Sequence, residues 1–249
     1  MPRDSWLQNR LHTQPGLEFF DHSIGGEASK LAAFAEARSI DELFLKLEAA
    51  GQMLRIDPRQ KPTMFHYATI STGEVELLRT ITQVIRKGRV QRIERDALVL
   101  DQGRVTMLPD TLYVDCTASA LGTVANQAVF QGDRILVQLL RAPLVVLSAA
   151  LTAYVEVHGE DDARKNQLCT PVPFPRDLAG YATATHASMT NQFQWSQDKA
   201  LRQWMRSTRL DAFGKMVAEV DKADTDKQAI LTQLHTHSVA AMKNMPKLM

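Results

Sequence analysis

His235 and His237 sit two residues apart, and imidazoles are good metal ligands. On a helix that spacing turns the two rings about 200° apart, so they do not readily share one ion and read as solvent-facing side chains. His66, between Phe65 and Tyr67, has a residue type suited to acid–base chemistry near neutral pH. No partner group stands with it in the sequence, which favours a structural histidine. Asp161-Asp162 falls where a helix is expected to start, and the helix dipole accounts for acidic residues there without a metal. No metal site is expected.

Motifs that cradle nucleotides or activate nucleophiles are absent. The sequence has no Gly-x-Gly-x-x-Gly, Walker loop, nucleophile elbow or His-Glu-x-x-His. A dinucleotide fingerprint needs glycines where a strand meets a helix, and no convincing strand precedes Gly25-Gly26. Asp133, after Gly132, is an acidic residue of the kind that contacts the ribityl hydroxyls of a flavin; the pair also reads as a turn. Cys116 and Cys169 lie far apart, with no Cys-x-x-Cys or Cys/His pattern, and read as free thiols of a reducing compartment.

The 249 residues carry 29 basic and 28 acidic side chains, a net charge of +1, which argues against general nucleic-acid binding. With 45% hydrophobic and 23% charged residues the chain is neither disordered nor a disulfide scaffold. The first thirty residues lack the apolar run of a signal peptide. The apolar stretch Ala142–Val155 is 14 residues long, short of the roughly 20 that a span needs. The expectation is a soluble, cytoplasmic protein with no membrane or nucleic-acid partner.

The elements that must position any site follow from periodicity. Residues 1–25 look irregular, although Trp6, Phe19 and Phe20 need somewhere to pack. Helices are expected over 27–38 and 40–50, with a capping box at Ser39/Glu42 and a glycine stop at Gly51. Met64–Ile70 is a strand or an extended loop. A second capping box, Ser71/Glu74, starts a helix expected to run over 72–87. The period then changes to two: strands from Val90 to Ile93, around Leu98–Leu100, and at Val105–Met107, with Asp101-Gln102-Gly103 as a turn. Thr111–Asp115 reads as another strand, running into the small residues Cys116–Ala120. Such an ending lets backbone approach a ligand, or serves close packing alone. A short strand over Ile135–Leu140, a buried helix over Leu144–His158 and a helix from Asp161 to Leu168 follow. Pro171, Pro173 and Pro175 impose an extended connection. Beyond it the chain reads as helical, with stripes over Leu201–Val220 and Ile230–Ala241 forming a helical hairpin.

The run Gly88-Arg89-Val90-Gln91-Arg92-Ile93-Glu94-Arg95-Asp96-Ala97-Leu98-Val99-Leu100-Asp101-Gln102-Gly103 resembles the β-meander of FAD- and NAD(P)-binding oxidoreductases. Leu112-Tyr113-Val114-Asp115-Cys116-Thr117-Ala118 resembles the strand that returns to their nucleotide domain. Cys116-Thr117-Ala118 stands where many relatives have Ala-Thr-Gly. Pro2–Arg10 with Gln14-Pro15, Ser148–Leu151 and Lys165–Pro173 are similar to bacterial members of the group. The likeness covers about residues 1–178 and implies the C-terminal half of a longer flavoprotein-like chain, truncated, split, or begun at an internal Met.

The expected fold is mixed α/β: an N-terminal mainly helical segment (1–70), a β-meander and nucleotide-domain remnant with a buried helix (71–178), and a C-terminal helical region (179–249). The resemblance implies FAD, reduction by NAD(P)H and a small-molecule substrate, with Asp115, Cys116, Thr117 and Ala118 approaching the cofactor through backbone and small side chains. It also implies that the glycine-rich unit lies outside this chain, in a missing N-terminal half or a protein partner. The alternative is a non-catalytic assembly subunit that uses the N-terminal apolar segment and the Leu201–Val220 stripe as partner surfaces.

Overall fold

The computed structural model describes residues 4–117 and 125–249. The architecture is mixed α/β, with small sheets set among helices. Strand β1 (Ser5–Asn9) lies inside the segment expected to be irregular. It is the middle strand of a sheet ordered β2-β1-β3, antiparallel to β2 (Met53–Leu54) and parallel to β3 (Met64–Ile70). The segment has no alternation to announce it, because its pairing partners lie some 45 to 60 residues away.

Between β1 and β2 a π-helical turn, Asp21–Gly25, leads into α1 (Gly26–Glu36), and α2 (Ile40–Ala49) follows. Ser39 caps α2 by accepting from the Glu42 N–H at 3.1 Å, while the Glu42 carboxylate accepts from the Arg38 N–H instead of closing the box. Gly51, at φ 71°, ends the helix as expected.

Helix α3 covers only Thr72–Arg79. Its capping box is complete: the Glu74 N–H donates to Ser71 Oγ at 3.2 Å and the Ser71 N–H to the Glu74 carboxylate at 2.8 Å. The expected extension to 87 fails because Thr80, Ile81, Thr82, Val84 and Ile85 are β-branched and only Val75 of the expected face is buried. Arg79 fixes the helix end through the Ile56 and Arg55 carbonyls, both at 2.9 Å.

The meander follows the sequence pattern: β4 (Val90–Ile93), β5 (Ala97–Leu100) and β6 (Gly103–Thr106) form an antiparallel sheet in that order. Asp101 shapes its turn, accepting from the Arg89 N–H at 2.7 Å. Gly88, at φ 80°, must be glycine, since a Cβ there would meet the Asp101 carboxylate. Thr111–Asp115, expected as a strand, has no ladder partner among the described residues. Asp110 at φ 60° turns the chain between β6 and this segment.

A hairpin of β7 (Phe130–Gln131) and β8 (Arg134–Ile135) turns at Gly132-Asp133, as the turn reading expects. The strand over Ile135–Leu140 stops at Ile135. Beyond it isolated backbone bonds, Leu136 N–H to the Val129 carbonyl at 2.8 Å and Val172 N–H to that of Leu139 at 2.6 Å, alternate with side-chain ones: Gln138 bonds the Gln127 backbone, and Ser148 accepts from the Leu140 N–H at 3.0 Å. Helices α4 (Val145–His158) and α5 (Asp162–Leu168) occupy the expected places, with Asp161 as the α5 cap. Then come α6 (Leu178–Gln197), α7 (Lys199–Ser207), α8 (Ala212–Ala218) and α9 (Thr225–Asn244).

Among the described residues the buried apolar side chains form three clusters, two large ones built on α6 and a smaller one of Phe20, Ile24 and Met216. In the first, Phe34, Phe44 and Phe65 surround Tyr181 of α6, with ring centroids of Phe65 and Tyr181 4.6 Å apart, and Trp6 stacks on Phe44. Segments 1–70 and 179–249 build this core together. The expected hairpin is only part of the C-terminal arrangement, for α9 also runs along α1, and Asn244 donates to the Phe34 and Ala37 carbonyls at 2.9 and 2.7 Å. The second core gathers Phe130, Leu151, Val155, Cys169 and Leu201 around Trp195 at the far end of α6. Trp195 donates to the Leu168 carbonyl at 2.8 Å, and Asn191 donates to those of Leu140 and Thr170 at 2.8 and 2.7 Å. Trp6, Phe20, Leu201 and Met216 are buried, so the surfaces expected to meet a partner are largely consumed within the chain. Among the described residues no helix is long and apolar enough to cross a membrane.

Candidate functional site

The residues expected near a cofactor lie at the end of the unpaired segment. Asp115 accepts from the Thr117 N–H at 2.8 Å and from the Thr117 hydroxyl at 2.7 Å. Those two donors, the hydroxyl first, hold its carboxyl below the ordinary aspartate range. Asp115, Cys116 and Thr117 are all exposed, and Ala118 lies outside the described residues. Among the described residues this exposed turn offers backbone and small side chains along one edge and no enclosing wall. By themselves Asp115, Cys116 and Thr117, all exposed, do not fit a flavin.

The apolar side chains leading to that turn are left in solvent. Leu108, Leu112 and Val114 are 80%, 85% and 73% exposed, and Leu77 and Ile81 of the preceding region are exposed as well. Burial of each such side chain is worth about 1.5–3 kcal/mol, so several kcal/mol of hydrophobic stabilisation are unrealised on this side of the molecule.

A cavity of about 710 Å³ opens elsewhere, where the first sheet, the Ala142-Pro143 loop and four helices converge. One face of α6 supplies Tyr181, Thr185, Ser188, Met189 and Gln192, a helical spacing. From α1 come Glu27, Lys30 and Leu31; from α8, Phe213 and Val217; from α9, Leu231, Leu234 and His235. Gln8 and Tyr67 reach it from the sheet, and Ile24 from the π-helical turn.

The charged groups in the wall are paired. Lys30 and Glu27 meet at 2.5 Å, Arg141 and Asp211 at 3.0 Å with both side chains mostly buried. Asp211 also caps α8, accepting from the Gly214 N–H at 3.1 Å, and a Cβ on Gly214 would strike its carboxylate. Tyr67 is held at φ 57°, a conformation that non-glycine residues rarely adopt and that commonly marks a functional position. Burial pushes the ionisation of both Tyr67 and Tyr181 far up, so each is a neutral phenol. The Tyr67 ring is wedged by Phe65, Phe174 and Tyr181, with centroids at 4.9, 5.9 and 6.0 Å.

None of Asp115, Cys116 and Thr117 lines this cavity. His66 is exposed, as a structural surface histidine would be, and His235 is exposed at the cavity wall. Sequence reasoning missed Tyr67, Tyr181 and His12, whose Nδ1 lies 2.7 Å from the His22 carbonyl. One local signal was available: Thr185, Ser188 and Gln192 fall on the same helical face as Tyr181, a polar stripe where a packed core would want apolar groups. Cys116 and Cys169 are both free, and burial pushes the Cys169 thiol up to about 12. No group of histidine, cysteine, aspartate and glutamate suited to a metal occurs among the described residues.

No family model matches the chain, and no solved structure does. It is similar to uncharacterized proteins of Mycobacterium bovis and of two Mycobacterium tuberculosis strains, 37% identical over all 249 residues. The chain spans 46% of the length of these relatives.

Proposed function

We propose that the chain is the C-terminal portion of an FAD/NAD(P)-dependent oxidoreductase acting on a small molecule in the cytoplasm. In this reading the polypeptide matching the rest of the relatives' length supplies the main FAD and NAD(P)H cradle. The observation that carries it is the uncovered row Leu108, Leu112 and Val114, which extends from the β4-β5-β6 meander and ends at the Asp115–Thr117 turn. An extended, apolar segment with unpaired backbone is suited to joining a sheet edge in another part of a protein. The turn would then meet the cofactor only once that sheet is in place.

The test is an FAD titration of the chain alone and of the chain co-expressed with a polypeptide matching the uncovered part of a mycobacterial relative. The expected result is a co-purifying pair that takes up FAD saturably, monitored by quenching of flavin fluorescence, and is bleached by NADH or NADPH. The chain alone should bind FAD weakly or not at all. A folded, monodisperse pair that never takes up FAD would overturn the flavin reading and leave a non-catalytic assembly role.

A further inference from the structure

We propose that the 710 Å³ cavity binds an uncharged, amphipathic small molecule, which presents an accepting oxygen to the Tyr67 hydroxyl and lays an apolar body against α8 and α9. This goes beyond the flavin reading and does not rest on it, since every group involved belongs to the described chain.

The class of ligand follows from what the wall leaves unsatisfied. Its formal charges already cancel within the Glu27–Lys30 and Arg141–Asp211 pairs. An ion entering the cavity would lose hydration without meeting a free counter-charge, which disfavours charged ligands. The polar side chains of α6 are also engaged. Thr185 donates to the Tyr181 carbonyl at 2.8 Å, Ser188 accepts from the Ala142 N–H at 3.1 Å, and Gln192 donates to the Ser188 carbonyl at 3.1 Å. The Tyr67 phenol has no hydrogen-bond partner among the described residues, and the three rings around it keep it from swinging away. It is a fixed donor awaiting an acceptor. Burial keeps it protonated, so the donor persists across neutral pH.

The remainder of the wall sets the ligand's body. Phe213 and Val217 of α8 and Leu231 and Leu234 of α9 form an apolar side, with Met189 as an adaptable neighbour. The volume lies within the range of clefts that enclose a drug-sized molecule. A largely apolar pocket with a few placed polar groups, here the Tyr67 phenol with Gln8 beside it in the wall, is the usual composition of such sites.

The experiment uses the full chain and prodan, an uncharged naphthalene with a ketone oxygen, whose emission shifts to the blue in an apolar site. Saturable binding at one site per chain is expected. Tyr67→Phe should weaken it about five-fold, the effect of one hydrogen bond. Leu234→Trp, which fills the apolar side, should abolish it in a variant whose melting curve shows a folded chain. The pair Leu112→Asp and Val114→Asp, on the uncovered row, should leave prodan affinity unchanged. Affinity that is insensitive to Tyr67→Phe overturns the proposal, as does affinity that disappears with the Leu112/Val114 pair. If Leu234→Trp fails to fold, the Tyr67→Phe comparison alone decides. FAD uptake has no bearing on these outcomes, so the two readings fail separately.

Discussion

Asn191 shows how one polar side chain holds an irregular backbone in place. It is 1% exposed and donates to two carbonyls, those of Leu140 and Thr170, which have left any regular ladder. Replacing it with alanine strands both acceptors in a water-poor interior. Asn191→Ala is therefore expected to lower unfolding free energy by about 2–4 kcal/mol, measured by urea denaturation. The cysteines give a second expectation. The thiolate is the reactive form, and burial pushes the Cys169 thiol up to about 12, so at mildly alkaline pH it stays protonated as well as inaccessible. Iodoacetamide should label Cys116 in the native protein, and Cys169 only after denaturation, as read by peptide mass spectrometry. The candidate site was hard to read at this level because its residues come from stretches spread from Gln8 to Ser238. Asp115, Cys116, Thr117 and Ala118 were named from one contiguous run that resembles a returning strand; Tyr67 is set in the cavity wall by a backbone angle and by rings of distant segments.

The elements that were legible are those whose signals are local. The β4–β6 meander carries its turn in Asp101-Gln102-Gly103, and α3 carries its start in Ser71 and Glu74. The α3 start also responds to pH. The Ser71 N–H and hydroxyl hold the Glu74 carboxyl below its ordinary value of 4.5, with Arg10 assisting at 2.9 Å. Folding favours the ionised form, so this support is complete above pH 4.5 and is lost as pH falls through the lower native value. Protection of the α3 amides against hydrogen exchange should decline over that acidic window, and Glu74→Gln should remove the pH dependence. The far end of α3 was misread because apolar spacing alone does not make a helix when β-branched residues crowd it and no surface receives its face. Strand β1 was missed for the opposite reason: its structure is dictated by β2 and β3, which nothing within Ser5–Asn9 reveals.

Across the whole molecule, the two sides differ in how completely they are finished. Around α6 the two large clusters bury Tyr181, Trp195 and their aromatic and aliphatic neighbours, although Phe193 stays exposed, whereas Leu108, Leu112 and Val114 join no cluster. Amides of residues 112–116 should exchange among the fastest in the isolated chain, and they should gain protection in the pair with the polypeptide of the proposed function. Unchanged exchange in a stable pair would place its interface elsewhere. A mixed α/β class was readable from the change of period along the chain, but the joining of segments 1–70 and 179–249 into one core was not, because it depends on Tyr181 reaching Phe34, Phe44 and Phe65.

Helix α6 carries Tyr181 into one core and Trp195 into the other. Its 20 residues span about 30 Å, so a single rigid rod belongs to both. Neither core can open without disturbing the rod, and the two therefore form one cooperative unit. The cavity lies along the same rod, so a molecule bound there would raise the melting temperature of both cores together.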